Sequence, residues 1–211
     1  MARTVLIDAG FGNLHSAEKA FQRMARETDG GEIVVSGAAE DIAAADRLVL
    51  PGDGAFPACM RALRGPLEEA LREAVEHRAI PFLGICIGMQ LMAREGHEYE
   101  TVPGLGWIDG HVVKIEPSDL SLTVPHMGWN DLVIERPHPL LDGIATGDHA
   151  YFVHSYHMAM DRAGERLAHV DHGGDITAIV AKDNAAGMQF HPEKSQEAGL
   201  RLIANFLGWA P

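Results

Sequence analysis

Short apolar runs alternate with helical patterns along the first half of the chain. Four apolar runs have the length and composition of buried strands: residues 4–7, 32–35, 47–50 and 80–85. After the first run, Asn13 can cap a helix with one apolar face, formed by Leu14, Ala17, Phe21 and Met24. A second helix is predicted over residues 66–77, which open with proline at the first helical position. This alternation favours a mostly parallel sheet with helices on both faces.

The second half of the chain is rich in turn residues and short β-type runs. Four runs suggest antiparallel strands added to the core sheet: residues 111–115, 131–134, 151–154 and 177–180. Ser195 can cap a last helix, whose inward-facing residues are Leu200, Ile203, Phe206 and Leu207. We therefore expect an α/β fold with a single domain over residues 1–211. It should be a three-layer sandwich with a mostly parallel sheet, helices on both faces and added antiparallel strands.

Composition and charge narrow the class of protein. The hydrophobic fraction of 46% and the charged fraction of 22% are typical of a globular domain. The formal net charge of −13 disfavours binding to nucleic acid or to anionic membrane surfaces. The two cysteines, Cys59 and Cys86, provide no disulfide framework, and no apolar run approaches the roughly 18 residues of a membrane helix. We expect a soluble, cytoplasmic protein without a metal or cofactor.

The apolar run at residues 80–85 leads into Gly-x-Cys-x-Gly, centred on Cys86. A helix-like segment follows directly at residues 89–95. This pattern is typical of a nucleophile elbow, a sharp strand-to-helix turn in which flanking glycines tolerate a cramped backbone and the central side chain is exposed. A cysteine at the start of a helix is favoured in its thiolate form. Cys86 is therefore the candidate nucleophile.

A nucleophilic thiol also needs a base, a group that orients the base, and donors for the oxyanion. His191 is the candidate base, and Glu193 could hold its imidazole in the required tautomer. Oxyanion donors could come from the backbone of Ile87 and of Gly52, which lies in a glycine-rich turn after the strand at residues 47–50. Carboxyl ends of parallel strands meet at one edge of a sheet, so we expect these groups to lie close together.

Each of these patterns also has a structural interpretation. Gly-x-Cys-x-Gly alone fits a buried thiol between packing glycines, and the glycine-rich turn alone fits an ordinary loop. Cys59 lies in an apolar, helix-like segment and is expected in the core. His154 and His157 form the most tempting metal pair, but their spacing matches no ligand motif. The co-occurrence of Cys86 and His191, each at a predicted strand end, favours an enzyme.

Six segments resemble the class I, or triad, glutamine amidotransferases. In chain order they are residues 7–14, 50–56, 84–90, 125–130, 151–156 and 187–195. The elbow and the His-Pro-Glu segment identify the class. The first segment and the Pro-His-Met-Gly-Trp-Asn segment narrow the resemblance to the glutaminase subunits of imidazole glycerol phosphate synthase, an enzyme of histidine biosynthesis.

The resemblance implies a mechanism and a partner. Cys86, His191 and Glu193 would hydrolyse glutamine through a glutamyl thioester, and Gln90 would contact the bound glutamine. In this family the glutaminase is activated when a (β/α)₈-barrel synthase subunit binds its nucleotide substrate, and ammonia passes through that barrel. The family positions at the subunit interface or along the ammonia path correspond to Asn13, Trp129, Tyr151 and Lys194.

The chain departs from the family pattern at two positions. Ala9 stands where an aromatic residue is usual, and Asp53 stands where the glycine-rich turn usually carries a small aliphatic residue. A carboxylate aimed at an oxyanion would oppose the developing charge, so we predict that Asp53 points outward. The alternatives are a non-catalytic binding module, a γ-glutamyl hydrolase and the glutaminase of pyridoxal phosphate synthesis. The intact triad disfavours a non-catalytic module, and the Pro-His-Met-Gly-Trp-Asn segment disfavours the two other enzymes.

Overall fold

A computed structural model describes residues 1–12 and 14–211. The strands in the described residues are β1 (Arg3–Ile7), β2 (Glu32–Ser36), β3 (Arg47–Leu50), β4 (Phe82–Ile85), β5 (Glu95–Glu98), β6 (Glu100–Pro103), β7 (Gly110–Lys114), β8 (His126–Asp131), β9 (Val133–Ile134), β10 (His149–His154), β11 (Tyr156–Met160), β12 (Arg166–Asp171), β13 (Asp175–Lys182) and β14 (Ala185–Met188). The helices are α1 (Leu14–Thr28), α2 (Ala39–Ala43), α3 (Phe56–Leu63), α4 (Pro66–Arg72), which continues as a π-helical turn (Glu73–His77), α5 (Ile87–Gln90) and α6 (Gln196–Gly208). Short 3₁₀ turns lie at Pro139–Leu141, Ala163–Glu165 and Pro192–Lys194.

The central sheet has eight strands in the order β2-β1-β3-β4-β14-β13-β12-β9. Strands β1 to β4 and β14 run parallel, whereas β13, β12 and β9 extend the sheet in antiparallel fashion. The α/β class and the mostly parallel sheet are therefore confirmed. Strand β14 lies directly beside β4, although a hundred residues of chain separate them. This neighbourhood places the two predicted catalytic segments at one edge of the sheet.

Helices cover both faces of this sheet, as predicted. Side chains alternate along each strand, so Leu6 of β1 packs with α1 and α6, while Val5 and Ile7 pack with α2, α3 and α4. Phe21 and Phe206 meet edge to face between α1 and α6 with ring centroids 6.4 Å apart. The fully buried strand residues explain why the first half of the sequence shows continuous apolar runs rather than alternation.

Two of the four strands predicted in the second half do not belong to the core sheet, so these two predictions were wrong. The predicted strand at residues 111–115 corresponds to β7, which belongs to a separate four-stranded sheet of β11, β7, β5 and β6. The run at residues 151–154 forms β10, which pairs with β8 in a separate two-stranded ribbon. The run at residues 131–134 is divided between β8 and β9. The division falls at Leu132, because its backbone N–H donates to Asp148 O. Apolar alternation identifies a strand but carries no information about which strand is its partner.

The helix after Cys86 is shorter than predicted. Helix α5 spans only four residues and does not continue to residue 95. The carbonyl groups of Leu91, Met92 and Ala93 instead accept hydrogen bonds from N–H groups of residues 105–108. This nearby loop replaces the helical partners and bends the chain into β5. Helix α1 begins at Leu14, and its predicted cap, Asn13, lies outside the described residues. Across residues 1–12 and 14–211, none of the helices is both long and apolar enough to cross a membrane.

Candidate active site

Cys86 occupies a strained turn between β4 and α5. Its backbone has φ +55° and ψ −113°, outside the regions that L-residues usually adopt. The backbone N–H of Cys86 donates to Met188 O over 2.8 Å, which ties the turn to β14. A methyl group on Gly84 would press on the backbone of Gly88, and one on Gly88 would overlap the carbonyl oxygen of Leu50. Both flanking glycines are therefore required by close backbone approach, as expected of a nucleophile elbow.

His191 and Glu193 lie just beyond the end of β14, beside the elbow. The Nδ1 atom of His191 is 2.9 Å from Oε1 of Glu193, and the two side chains are only 11% and 6% exposed. Cys86 lines the same cavity as His191 and acts on the pKa of its imidazole. The structure thus brings the three predicted residues together in the order thiol, imidazole, carboxylate. Glu193 fixes the ring orientation through its contact with Nδ1.

The charge of His191 is stabilised by both neighbours. Burial alone would lower the pKa of His191, but hydrogen bonds and charge attraction from Cys86 and Glu193 outweigh burial and raise this pKa to about 9. A protonated imidazole beside a cysteine favours the thiolate, which is the nucleophilic form. Burial and the charges of Asp53 and Glu98 instead raise the pKa of Cys59 to about 12. Cys59 is a core residue, as predicted, and stays a neutral thiol near pH 7.

Ser195 holds the loop that carries the histidine. Its hydroxyl donates to His191 O over 2.7 Å and accepts from the backbone N–H of Tyr151 over 3.0 Å. The N–H of His191 also donates to Tyr151 O over 3.1 Å. Ser195 does occupy the N-cap position of α6, as predicted, but its side chain makes no capping hydrogen bond because its hydroxyl is committed to these contacts. The predicted inward-facing residues of α6 do pack against the sheet.

A cavity of about 450 Å³ opens in front of the triad. Its lining includes several predicted site residues, which are Cys86, Ile87, Gln90, His191 and Lys194. Glu98 and Tyr156 also line it; Glu98 lies outside the segments that resemble the family, and Tyr156 ends one of them but was assigned no role. Glu98 is a buried carboxylate, 8% exposed, that accepts a hydrogen bond from Phe56 N over 2.7 Å. A wider depression at residues 134–144 lies among other elements and touches none of the triad residues.

The two predicted oxyanion residues lie side by side. A methyl group on Gly52 would fall within 2.8 Å of the Ile87 side chain, so the glycine-rich turn packs directly on the elbow. Ile87 is the first residue of α5, where backbone N–H groups have no partner within the helix. Gly52 itself borders a small cavity behind the triad, whereas Asp53 and Gly54 line the main cavity. The role of both residues as donors stays a prediction, as does the outward orientation of the exposed Asp53.

Comparison with known proteins agrees with this geometry. The family model described as glutamine amidotransferase class-I matches residues 5–208. The chain belongs to the class I glutamine amidotransferase family. Two curated relatives are named imidazole glycerol phosphate synthase subunit HisH. The one from Cereibacter sphaeroides is 67% identical over 99% of both chains, and the one from Ruegeria pomeroyi is 65% identical over 99% of both chains.

Solved structures of amidotransferases share the fold of this chain. A crystal structure titled glutamine amidotransferase gives a TM-score of 0.73 at 22% identity and covers 99% of this chain and 100% of its own. The structure of PurLQS from Thermotoga maritima gives a TM-score of 0.71 at 18% identity, with 98% of each chain covered. At this identity the likeness concerns the fold alone.

Of the remaining predicted residues of this amidotransferase, Lys194 lines the cavity and Tyr151 contacts the His191 loop through its backbone. Trp129 of β8 and Tyr151 of β10 are cross-strand partners, with ring centroids 5.8 Å apart at 70°. Trp129 is 49% exposed, and its neighbour on the same face, Met127, is 62% exposed. Lys194 is also exposed and lines the cavity. Tyr151 thus links an aromatic patch to the loop that carries His191, whereas Asn13 is not among the described residues.

Proposed function

We propose that this chain is the glutaminase subunit of an imidazole glycerol phosphate synthase and acts as one amidotransferase domain over residues 1–211. The observation that carries the proposal is the grouping of Cys86, His191 and Glu193 at a cavity, where Cys86 and Glu193 both raise the pKa of His191. It occurs in a chain that is 67% identical over nearly its full length to a relative named as subunit HisH of that synthase. The cytoplasmic location expected from the sequence stays a prediction.

The first half of the reaction forms a thioester. The sulfur of Cys86 attacks the carboxamide carbon of glutamine, a C–S bond forms, and the electron pair of the C=O bond moves to oxygen. As the carbonyl reforms, the C–N bond breaks and His191 gives its proton to the departing nitrogen, which leaves as ammonia. Backbone N–H groups near Gly52 and Ile87 would stabilise the oxyanion, and one such donor lowers a barrier by roughly 3–4 kcal/mol.

The second half returns the enzyme to its starting state. Water gives a proton to His191 while its oxygen attacks the thioester carbon. The C–S bond then breaks, Cys86 leaves as a thiolate beside the protonated His191, and glutamate is released. Glu193 keeps the imidazole in one orientation through both halves, which suits a residue that must first donate and then accept a proton.

The cavity offers charges suited to a zwitterionic amino acid. The buried carboxylate of Glu98 can bind the α-ammonium group of glutamine, and the ammonium group of Lys194 lies on the same cavity lining. The amide nitrogen of Gln90 donates to Tyr156 O and to Gln189 Oε1, so only the amide oxygen of Gln90 is left to contact a ligand. We therefore assign Gln90 as an acceptor toward the substrate rather than a donor.

We further propose that the partner is a (β/α)₈-barrel subunit that docks on the surface that carries Trp129, Tyr151 and Lys194. Exposed aromatic residues of this kind often dominate binding energy at interfaces. Delivery into a closed partner would keep ammonia from becoming ammonium in water. Trp129→Ala should weaken the complex with the barrel subunit at least tenfold, while glutamine turnover by the saturated complex is largely kept.

The deciding experiment is a glutaminase assay of the purified chain, alone and with the barrel subunit plus its nucleotide ligand. We expect low activity alone, strong stimulation in the complex, and loss of stimulated activity in Cys86→Ala. Cys59→Ala is the matched control, because Cys59 is the other free thiol and should be dispensable. Stimulated turnover that survives in Cys86→Ala would reject the assignment of the nucleophile.

A further inference from the structure

Gln189 lies behind the nucleophile, fully buried at the end of β14. Its side-chain nitrogen Nε2 is 3.9 Å from the sulfur of Cys86, within hydrogen-bond range for sulfur. Its backbone N–H donates to Ala178 O over 2.9 Å, so the residue is fixed in the sheet. This amide stands outside the row of thiol, imidazole and carboxylate, yet it contacts the same sulfur.

The orientation of the Gln189 amide is dictated by a backbone carbonyl. The oxygen of Tyr156 can only accept hydrogen bonds, so the atom of Gln90 that lies 2.8 Å from it must be the donor Nε2. The second hydrogen on that nitrogen points to the atom of Gln189 at 3.0 Å, which must then be the acceptor Oε1. The other end of the Gln189 amide is left as a donor that faces sulfur.

The same carbonyl is held from its other side by a histidine pair. His154 Nδ1 lies 2.8 Å from Tyr156 O and must carry a hydrogen, which leaves Nε2 of His154 as an acceptor. His126 Nδ1 donates to that atom over 3.0 Å, and Nε2 of His126 accepts from Asn130 over 3.1 Å. These hydrogen bonds agree on one direction along the row, so a reversed member would set donor against donor or acceptor against acceptor.

We propose that Gln189 is a catalytic residue that donates a hydrogen bond to the sulfur of Cys86, and that Gln90 and His154 are positioning residues that fix the direction of its amide. The proposal deepens the proposed function and rests on it for the reaction. The sulfur of Cys86 is a thiolate before it attacks glutamine and again after the thioester breaks. In the thioester that forms between these two steps, the sulfur is neutral. A donor aimed at sulfur therefore favours both ionised states over the intermediate that separates them.

The first test measures alkylation of Cys86 by iodoacetamide against pH, with the modified peptide identified by mass spectrometry. In Gln189→Leu the pH midpoint of alkylation should move upward by about one pH unit, since a donor to a charged group is lost. Gln189→Asn keeps an amide but is too short to reach sulfur, and it should show the same shift if the leucine variant does not fold. Thr177→Val is the control, because Thr177 is equally buried in the neighbouring strand β13.

The second test addresses the positioning residues. His154→Leu should lower kcat for glutamine at least fivefold and move the alkylation midpoint in the same direction as Gln189→Leu. His154→Gln, which can still donate to Tyr156 O, should recover most of both effects. A purely structural role would change stability in both variants without moving the midpoint.

Both tests can fail independently of the proposed function, because alkylation requires neither glutamine nor the partner. An unchanged alkylation midpoint in Gln189→Leu or Gln189→Asn would overturn the proposed donor. A midpoint that moves in those variants but not in His154→Leu would reject the positioning role. The proposed function itself depends on the Cys86→Ala assay of the stimulated complex.

Discussion

The charge state of His191 predicts how the stability of the chain changes with pH. The folded state holds the pKa of His191 at about 9, against an ordinary value of 6.5. Because the folded pKa is the higher one, the folded state binds the proton more tightly. The contribution to the free energy of unfolding is therefore fully present below pH 6.5 and is lost as the pH rises through 9.

The size of this contribution follows from the difference between the two pKa values. Each unit corresponds to about 1.4 kcal/mol, so the full contribution has an upper limit of about 3 kcal/mol. About 2 kcal/mol of it should disappear between roughly pH 7.5 and pH 10. Removal of one partner in Cys86→Ser should reduce the loss, because the thiol is one of the two groups that raise the pKa.

The assay is urea unfolding of the wild type and of His191→Gln at intervals across this pH range, with a reductant present. Glutamine cannot titrate, so the difference between the two unfolding free energies isolates the histidine. The difference should shrink as the pH rises from 7 to 10. If the two proteins lose stability in parallel, Cys86 and Glu193 do not hold the imidazole as a cation, and the thiolate at Cys86 loses its positively charged neighbour.

Three further substitutions test the elbow, the histidine loop and the unusual carboxylate. Gly88→Ala should cost about 3 kcal/mol or more in unfolding free energy, because the added methyl group meets the Leu50 carbonyl, whereas Gly164→Ala, in open space, should cost less than about 1 kcal/mol in the same urea titration. Ser195→Ala should lose about 1–3 kcal/mol by the same measurement and lower glutaminase activity, since Tyr151 N–H loses its acceptor and His191 O loses one of its donors; unchanged activity would show that the loop is held by other contacts. Asp53→Val should leave stimulated glutamine turnover within a few-fold, and a hundredfold gain would show that the carboxylate faces the oxyanion.

Much of the catalytic arrangement could be predicted because, within each half of the site, the residues lie close together in the sequence. Gly84 and Gly88 flank the thiol in sequence, and Glu193 follows His191 by two residues, so each half of the site is a short motif. Parallel strands then bring both halves to one edge of the sheet. The prediction needed only the class of fold and the order of the motifs.

The parts that could not be predicted depend on contacts between distant segments. The hydroxyl of Ser195 was expected to cap a helix, but it accepts a hydrogen bond from the backbone N–H of Tyr151, forty-four positions earlier. Helix α5 ends early because N–H groups of a loop at residues 105–108 bind the carbonyl groups of residues 91–93, just beyond the helix. Glu98 enters the cavity from a sheet whose existence the apolar pattern did not reveal. No local propensity encodes such partners, since they are set by tertiary packing.

The position of β14 has a consequence for how this protein becomes active during synthesis. A ribosome that has completed residues 1–184 has delivered the thiol but not the base, and the chain still lacks the strand that fills the gap between β4 and β13. Insertion of β14 therefore closes the sheet and brings His191 to Cys86 in one event. Nascent or C-terminally truncated chains would carry a cysteine without its proton donor, so ammonia release is coupled to completion of the fold.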